Sequence, residues 1–255
     1  MTAHRAPAGT SAEPAPAGAA TPAGLGPETL RGARGATVTS PMGIFGGTFD
    51  PIHYGHLRTA FELYQLLRLP EVRFMPAGNP PHRETTFASD ALRRRMVEVA
   101  IAGQPGFTLD DRELQRSGPS YSVDTLRELR AEYPDRPLCL VIGMDAFLGL
   151  TGWHRWRELL DLGHLVVAHR PGWEAPATGT LGELLAARGT AAVSDLHGRT
   201  HGRIYIHAVT QLEISSTEVR ALIAAGRDPR FLMPDGVRDI ILDTGCYARK
   251  DGTRG

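Results

Sequence analysis

The sequence predicts an α/β fold, a Rossmann-like, doubly wound and mainly parallel sheet with helices on both faces. Two observations favour this class. Short apolar runs typical of buried strands alternate with longer segments of helical periodicity, which is the pattern of βαβ units. In addition, a glycine-rich turn at 46–50 connects the first apolar run to the first helical pattern. In such sheets the residues that bind ligands are expected beyond the carboxyl ends of the strands.

The first strand and the first helix have the clearest patterns. Residues 42–45 are short and apolar, which predicts a buried strand. Leu57, Ala60, Phe61 and Tyr64 then recur at spacings of three and four residues, which predicts an amphipathic helix over 57–69. The turn between them therefore leads directly to a helix N-terminus.

The later elements continue the alternation of strands and helices. Helix 122–133 is expected to stop before Pro134, because proline disrupts a helix interior. The other predicted strands are 71–76, 107–109, 138–142, 164–168 and 204–209, and the other predicted helices are 90–102, 153–162, 181–187 and one from Ser215 or Ser216 to about Ala225.

Composition indicates one folded domain that acts on small molecules. The 255 residues are 42% hydrophobic, enough for a full core. The 28 basic and 28 acidic residues balance, so no attraction to nucleic acid or to an anionic membrane is expected. Residues 1–40 are rich in Ala, Pro and Gly and are predicted to be a disordered extension. The folded domain is predicted to span 41–247, followed by a loose tail at 248–255.

Two cysteines and the absence of export signals predict a cytoplasmic protein. Cys139 and Cys246 form neither a disulfide framework nor a Cys-x-x-Cys motif. The sequence contains no apolar segment typical of a secretory signal or long enough to cross a membrane. Both a monomer and a homo-oligomer remain open.

Two histidines, His53 and His56, lie where the first helix is expected to begin. Helix N-termini favour anions, and glycines such as Gly47 allow a phosphate to approach the backbone. Imidazole donors would stabilise oxygens whose charge grows during phosphoryl or nucleotidyl transfer. The alternative of a plain tight turn is disfavoured by the His-x-Gly-His pairing. No Glu or Cys stands nearby at ligand spacing, so no protein-held metal is predicted.

A second polar cluster lies at 213–220. Ser215 and Glu218 have the spacing of a capping box, which on its own explains these two residues. Capping does not require Ser216, Thr217 and Arg220, whose hydroxyls and guanidinium could bind further phosphate oxygens. The sequence therefore predicts that two helix N-termini share one triphosphate.

These motifs resemble those of the nucleotidyltransferase superfamily and, within it, of bacterial nicotinate-nucleotide adenylyltransferases. The resemblance covers 42 to about 247, and segments 76–83, 119–122, 142–145, 153–156 and 169–172 support it. It implies the nucleotidyltransferase fold and adenylyl transfer from ATP to nicotinate mononucleotide, giving deamido-NAD (nicotinate adenine dinucleotide) and pyrophosphate in NAD biosynthesis. Attack would be in line without a covalent enzyme intermediate, with Mg²⁺ bound mainly through the ATP phosphates.

The resemblance also implies roles for individual residues. Arg83 and Ser122 stand where relatives often carry lysine and threonine, and Ala77 stands where some carry asparagine, so one polar contact is expected to be missing. The catalytic residues would be His53, His56 and Arg220; the ATP-binding residues would be Gly47, Thr48, Phe49, His53, His56, Gly143, Asp145, Ile214, Ser215, Ser216, Thr217 and Arg220; and the nicotinate mononucleotide-binding residues would be His82, Arg83, Ser122, Trp153 and Arg170.

Three other functions share part of this pattern. A phosphopantetheine adenylyltransferase is usually a much shorter chain without the paired-tryptophan segment at 153–156, and a cytidylyltransferase ends in a different serine and threonine pattern. A non-catalytic nucleotide-binding regulator would keep the pocket but not the chemistry. Retention of both histidines and Arg220 argues against the regulator.

Overall fold

The structure is a computed structural model that describes residues 40–78, 86–169, 172–210 and 212–249. The predicted N-terminal extension lies outside these residues except for Ser40, as do residues 250–255 of the predicted C-terminal tail.

Within the described residues, seven strands form one sheet, and every pair of neighbours is parallel. The strands are β1 (Met42–Gly47), β2 (Glu71–Pro76), β3 (Phe107–Leu109), β4 (Leu138–Gly143), β5 (His164–His169), β6 (Gly189–Thr190) and β7 (Ile204–Ala208). Their order across the sheet is β3-β2-β1-β4-β5-β7-β6. The predicted α/β fold is thereby confirmed.

The helices fill the connections between the strands. They are α1 (Tyr54–Leu66), α2 (Asp90–Ile101), α3 (Ser122–Glu132), α4 (Met144–Leu148), α5 (Leu159–Leu162), α6 (Gly179–Arg188), α7 (Val193–His197), α8 (Ser216–Ala224) and α9 (Asp235–Thr244), with 3₁₀ turns at Leu150–Gly152 and Trp156–Glu158.

Separate hydrophobic clusters cover the two faces of the sheet. Because alternate residues of a strand point to opposite faces, Phe45 and Val141 pack on one side, while Ile44 and Leu140 pack on the other. Residues of α1, α2, α8 and α9 complete the first cluster, and residues of α3, α4 and α5 complete the second. The sheet is therefore the middle layer between two layers of helices, as predicted.

The expectation of one continuous helix over 153–162 is wrong. Trp153 has extended backbone angles and Arg155 has a left-handed φ of 51°, so helical structure resumes only at Trp156. The guanidinium of Arg155 bonds both carboxylate oxygens of Glu158, at 2.6 and 2.8 Å, and Glu158 also binds Arg127 of α3. These side-chain contacts hold the turn in place of a regular helix.

The direction of chain progression reverses between β1 and β4. From β1 the chain adds β2 and β3 on one side, and it then returns to add β4, β5 and β7 on the other. At such a switch point the connections after the two strands turn to opposite faces and leave a crevice at their carboxyl ends. The residues after Gly47 and Gly143 lie at this crevice.

Candidate active site

Two adjoining cavities occupy the crevice beyond β1 and β4. The histidine cavity, about 520 Å³, includes His53, His56 and Ser215 in its lining. The Ser122 cavity, about 370 Å³, includes Ser122, Met75 and Leu126. The cavities share Gly46, Val141, Ile142, Ala146 and Trp153. They therefore form a single bipartite cleft with Trp153 at the junction.

The two histidines are stacked at the N-terminus of α1. His53 is the N-cap residue, and its ring lies 3.8 Å from that of His56, centroid to centroid. The backbone N–H of His53 donates to Nδ1 of His56 over 3.4 Å, so a neutral His56 ring carries its proton on Nε2. Burial lowers the pKa of His53 to about 4, although the nearby Glu218 carboxylate acts in the opposite direction. His53 is therefore neutral at physiological pH.

Gly55 makes room for His53. A Cβ at this position would lie 2.9 Å from Nδ1 of His53 and 3.2 Å from the carbonyl oxygen of Ile214. The Nδ1 atom itself is buried and has no hydrogen-bond partner within the described part of the chain. The motif glycine thus allows α1 and the segment before α8 to approach each other closely.

The N-terminus of α8 borders the histidine cavity opposite α1. Ser215 is its N-cap: its Oγ accepts the N–H of Glu218 at 3.1 Å, and Glu218 accepts the N–H of Ser215 at 3.1 Å. The capping box predicted from the spacing is present. Ser216 donates its hydroxyl to the carbonyl of Pro51 at 3.0 Å, and Ile214 and Thr217 also line the cavity. The two helix N-termini therefore border one space.

Arg220 lies against the loop at 47–53, which leads from the end of β1 to α1 and is called the glycine-rich loop below. Its guanidinium donates to the carbonyl of Asp50 at 2.7 Å and to the hydroxyl of Thr217 at 3.3 Å, and it stacks over the ring of Phe87 at 4.5 Å. These contacts fix its charge beside the loop that leads into α1.

Thr48 and Phe49 differ in how they can serve a ligand. The Phe49 side chain is 1% exposed and packs against Phe45 and Phe74, so a contact with phosphates would use its backbone. The carbonyl of Thr48 accepts a hydrogen bond from the buried Arg93 at 2.7 Å. Gly47, immediately before them, lines the Ser122 cavity.

Gly143, Ser122 and Trp153, which the resemblance assigns to nucleotide binding, line the same cleft, whereas Asp145 is in the lining of neither cavity. Gly143 lines the histidine cavity and is the N-cap of α4, whose first turn carries the exposed Asp145. Ser122 begins α3 and lines the second cavity, together with Ala77 at the end of β2. Trp153 borders both cavities.

Comparison with known sequences identifies the family. The sequence model of the family described as cytidylyltransferase-like matches residues 44–222. A protein of Aeromonas hydrophila named probable nicotinate-nucleotide adenylyltransferase is 52% identical over 207 residues, which cover 81% of this chain and 97% of the relative. A protein of the same name from Methylococcus capsulatus is 46% identical over 209 residues, covering 82% of this chain and 100% of the relative. This chain belongs to the nicotinate-nucleotide adenylyltransferase family.

Solved structures support the fold of this nicotinate-nucleotide adenylyltransferase family member. The chain is similar to the Plasmodium falciparum nicotinic acid mononucleotide adenylyltransferase complexed with NaAD, with a TM-score of 0.62 at 18% identity, over 82% of this chain and 97% of the other. At this identity the similarity establishes the architecture alone.

Five polar residues of the Ser122 cavity carry no role in the sequence-based assignment: Glu113, Ser120, Tyr121, Thr125 and His154. The rings of Tyr121 and His154 lie 4.3 Å apart, and both belong to segments that mark the family, 119–122 and 153–156. Glu113 accepts the hydroxyl of Thr125 at 2.6 Å, and burial raises the pKa of its carboxyl group. No local pattern in the sequence singles out Glu113.

Three predicted site residues, His82, Arg83 and Arg170, lie outside the described residues. Within the described ranges, no group of three or more His, Cys, Asp or Glu side chains could hold a metal ion, and no helix there is both apolar and long enough to span a membrane.

Proposed function

We propose that this family member transfers the adenylyl group of ATP to nicotinate mononucleotide, forming deamido-NAD and releasing pyrophosphate. One observation carries the proposal: the two cavities meet at the ends of β1 and β4, and each has the lining that one substrate needs. Two helix N-termini and two histidines suit a triphosphate, whereas apolar side chains and an indole suit a pyridine ring. The reacting phosphates would meet at their junction.

The histidine cavity stabilises the triphosphate without a full positive charge on His53. Because its pKa is about 4, His53 offers a neutral imidazole whose N–H donor does not need to be charged. The N-termini of α1 and α8 add backbone N–H groups and dipoles that favour the charge developing on the leaving pyrophosphate. Arg220 places a guanidinium next to the loop between them.

The Ser122 cavity orients the acceptor nucleotide. Trp153 at the junction is positioned to stack on the pyridine ring, and the hydroxyl of Ser122 lies at the N-terminus of α3, where an anionic ring substituent is favoured. The 5′-phosphate of the acceptor then attacks the α-phosphorus of ATP directly, as pyrophosphate leaves on the opposite side. This reaction needs no protein nucleophile, so alignment and charge stabilisation account for the catalysis.

Magnesium is expected to enter with ATP as part of the substrate. Mg²⁺ retains several waters and commonly binds through substrate phosphates and one or two protein oxygens, so it needs no dedicated cage of carboxylates. The hydroxyls that line the histidine cavity fit this arrangement, because Mg²⁺ prefers oxygen ligands. When bound, the ion would neutralise part of the charge of the leaving group.

Pyrophosphate release tests the proposal. The protein is incubated with ATP and Mg²⁺ and with either nicotinate mononucleotide, nicotinamide mononucleotide, phosphopantetheine or no acceptor, and the product is identified by mass spectrometry. We expect rapid release and a dinucleotide product with nicotinate mononucleotide. Transfer to phosphopantetheine alone would assign a different acceptor, and release with no acceptor at all would indicate a pyrophosphohydrolase. The absence of any product would favour a regulator that only binds nucleotides.

A further inference from the structure

The structure reveals a connection between the C-terminal part of the chain and the glycine-rich loop at 47–53. We infer that Tyr247 is a positioning residue for this loop, and that it acts through the carboxylate of Asp50. The inference rests on the proposed function, in which the loop binds the ATP phosphates. No motif described above includes Tyr247.

Asp50 is the point at which the loop is joined to the rest of the protein. The residue is 4% exposed, and its carboxylate accepts the backbone N–H groups of Phe87 and Ala88 at 2.8 and 3.1 Å. The same carboxylate accepts the hydroxyl of Tyr247 at 2.6 Å, while its backbone carbonyl accepts Arg220 at 2.7 Å. Residues from three distant segments therefore converge on one loop residue.

Neighbouring carbonyls of the loop are fixed in the same way. Arg93 of α2 is fully buried and donates to the carbonyl of Thr48 at 2.7 Å and to Asp90 at 2.6 Å. The Ser216 hydroxyl binds the carbonyl of Pro51 at 3.0 Å. Side chains of α2 and α8 thus bind the loop backbone, and the Asp50 carboxylate in turn binds the two residues just before the N-cap of α2. The loop geometry depends on these external contacts as well as on its own sequence.

Among the described residues, Tyr247 is the one whose side chain donates a hydrogen bond to the Asp50 carboxylate. A hydrogen bond from a hydroxyl to a carboxylate is charge-assisted and stronger than a neutral one. Burial and the proximity of Asp50 raise the pKa of Tyr247, so the phenol remains a proton donor throughout the working pH range. Without this donor, a buried carboxylate would retain two backbone N–H groups and lose its shortest contact.

The local structure holds Tyr247 in place for this contact. Helix α9 ends at Thr244 and is followed by its C-cap Gly245, whose left-handed φ of 63° turns the chain, and Tyr247 itself has a φ of 72°. Bulky residues adopt this conformation when their surroundings impose it. Helix α9 also packs on α2, where Gly236 faces the side chain of Val99. The chain after α9 is therefore anchored on the same helix that binds the loop.

The expected consequence is a kinetic effect on ATP and not on the acceptor. His53, at the end of the loop, lines the histidine cavity three positions after Asp50. The Ser122 cavity meets the loop only at Gly47 and takes most of its lining from α3, from the strands and from the segment before α3. Tyr247→Phe removes only the hydroxyl. We expect kcat/KM for ATP to fall about 10-fold, the loss of one hydrogen bond to a charged group, while KM for nicotinate mononucleotide stays unchanged.

A second tyrosine provides the matched control. The hydroxyl of Tyr133 accepts one hydrogen bond from Arg73 at 2.9 Å, and Tyr133 lines neither cavity. Tyr133→Phe should lower the melting temperature slightly and leave both kinetic constants at wild-type values. A purely structural role of Tyr247 would make the two variants behave alike, and this result would overturn the inference.

A double-mutant cycle tests whether Tyr247 acts through Asp50. Asp50→Asn should lower kcat/KM for ATP, and adding Tyr247→Phe should cause little further loss, because both changes break the same contact. Fully additive losses would refute the connection. If Tyr247→Phe does not fold, the Asp50→Asn variant alone tests the inference. Wild-type kinetic constants in Asp50→Asn would refute the role of the Asp50 carboxylate and therefore that of Tyr247.

Binding measurements separate this inference from the proposed function. Calorimetry with ATP and Mg²⁺, without acceptor, should show weaker binding to Tyr247→Phe than to Tyr133→Phe. If the wild-type protein binds ATP but transfers nothing to nicotinate mononucleotide, the proposed function fails while the role of Tyr247 is still tested by ATP affinity. Equal ATP affinities in the two variants, together with active wild-type enzyme, would refute the role of Tyr247 alone.

Discussion

The imidazole rings of His53 and His56 stack with their centroids 3.8 Å apart and their planes inclined by 27°. This arrangement places both rings at one helix N-terminus on the same cavity. It also means that the two side chains support each other, so substitution of one is expected to disturb the other.

Replacing either histidine should therefore lower turnover. We expect His53→Ala and His56→Ala each to reduce kcat by ~10²-fold or more, the typical loss when a donor to the transition state is removed. His201→Ala is the control, because His201 is exposed and lines neither cavity. Steady-state kinetics would contradict the assignment if kcat of the two active-site variants matched that of the control.

Gly55→Ala is expected to lower activity without destabilising the protein strongly. Alanine is the better helix former, but its Cβ would meet Nδ1 of His53 at 2.9 Å and the Ile214 carbonyl at 3.2 Å. We expect about a 10-fold lower kcat, since small displacements of catalytic groups are costly. Gly149→Ala is the control, because a Cβ at this position would lie 3.6 Å from the Asp145 carbonyl oxygen, which is an ordinary van der Waals contact. Equal kcat values would show that His53 tolerates displacement.

Trp153→Ala should weaken binding of the acceptor more than binding of ATP. Loss of stacking between an indole and a base costs about 1–3 kcal/mol, which corresponds to a rise of roughly 5-fold to 150-fold in KM for nicotinate mononucleotide. Trp156→Ala is the matched control, because that indole packs under Arg157 at 4.5 Å and lines neither cavity. If both variants raised KM for nicotinate mononucleotide equally, the cause would be a disturbed turn at 153–156 and not the loss of stacking.

Acidification should destabilise the fold through His164. Its Nε2 donates to the carbonyl of Arg199 at 2.8 Å and its Nδ1 accepts the N–H of Arg203 at 3.1 Å, and this second bond requires the neutral ring. Burial lowers the pKa of His164 to about 4 from an unfolded value of 6.5. The unfolded chain therefore binds the proton more tightly, and the stabilising contribution is present above pH 6.5 and lost between pH 6.5 and about 4.

The magnitude of this loss can be measured by urea denaturation at several pH values. A shift of this size corresponds to about 3 kcal/mol in the free energy of unfolding. His164→Leu should be less stable than wild type at pH 7 but should lose less stability on acidification to pH 4. The buried His53 is present in both wild type and His164→Leu, so its contribution to the pH dependence of stability cancels when the two proteins are compared. An identical pH dependence would exclude His164 as the cause.

Local patterns predicted the elements whose structure is set by their own sequence. The strand at 71–76 and the strand at 107–109 coincide with β2 and β3, because apolar runs flanked by proline or glycine define them. The predicted helix 181–187 lies within α6. Helix α4 is only five residues long, too short for a recognisable period, and α9 was missed although Val237, Ile240 and Ile241 have helical spacing.

Contacts between distant residues explain what the sequence did not predict. The turn after Trp153 depends on Arg127, 31 positions before Glu158. The loop at 47–53 depends on Arg93, 45 positions after Thr48, and on Arg220, 170 positions after Asp50. Periodicity reports on neighbours within a few turns, so it predicted helices and strands. The motifs and the resemblance supplied the candidate site residues, and neither source identified the side chains that hold the loop in position.

The hydrogen bond between Asp50 and Tyr247 joins residues that are 197 positions apart. A fragment that ends shortly before Tyr247, whether produced by proteolysis or by premature termination, would still contain every motif that identifies the family. It would nevertheless lack one of the bonds to the loop on which those motifs depend. Recognisable motifs are therefore an incomplete guide to a working enzyme, and expression designs for this protein should keep the chain intact through Tyr247.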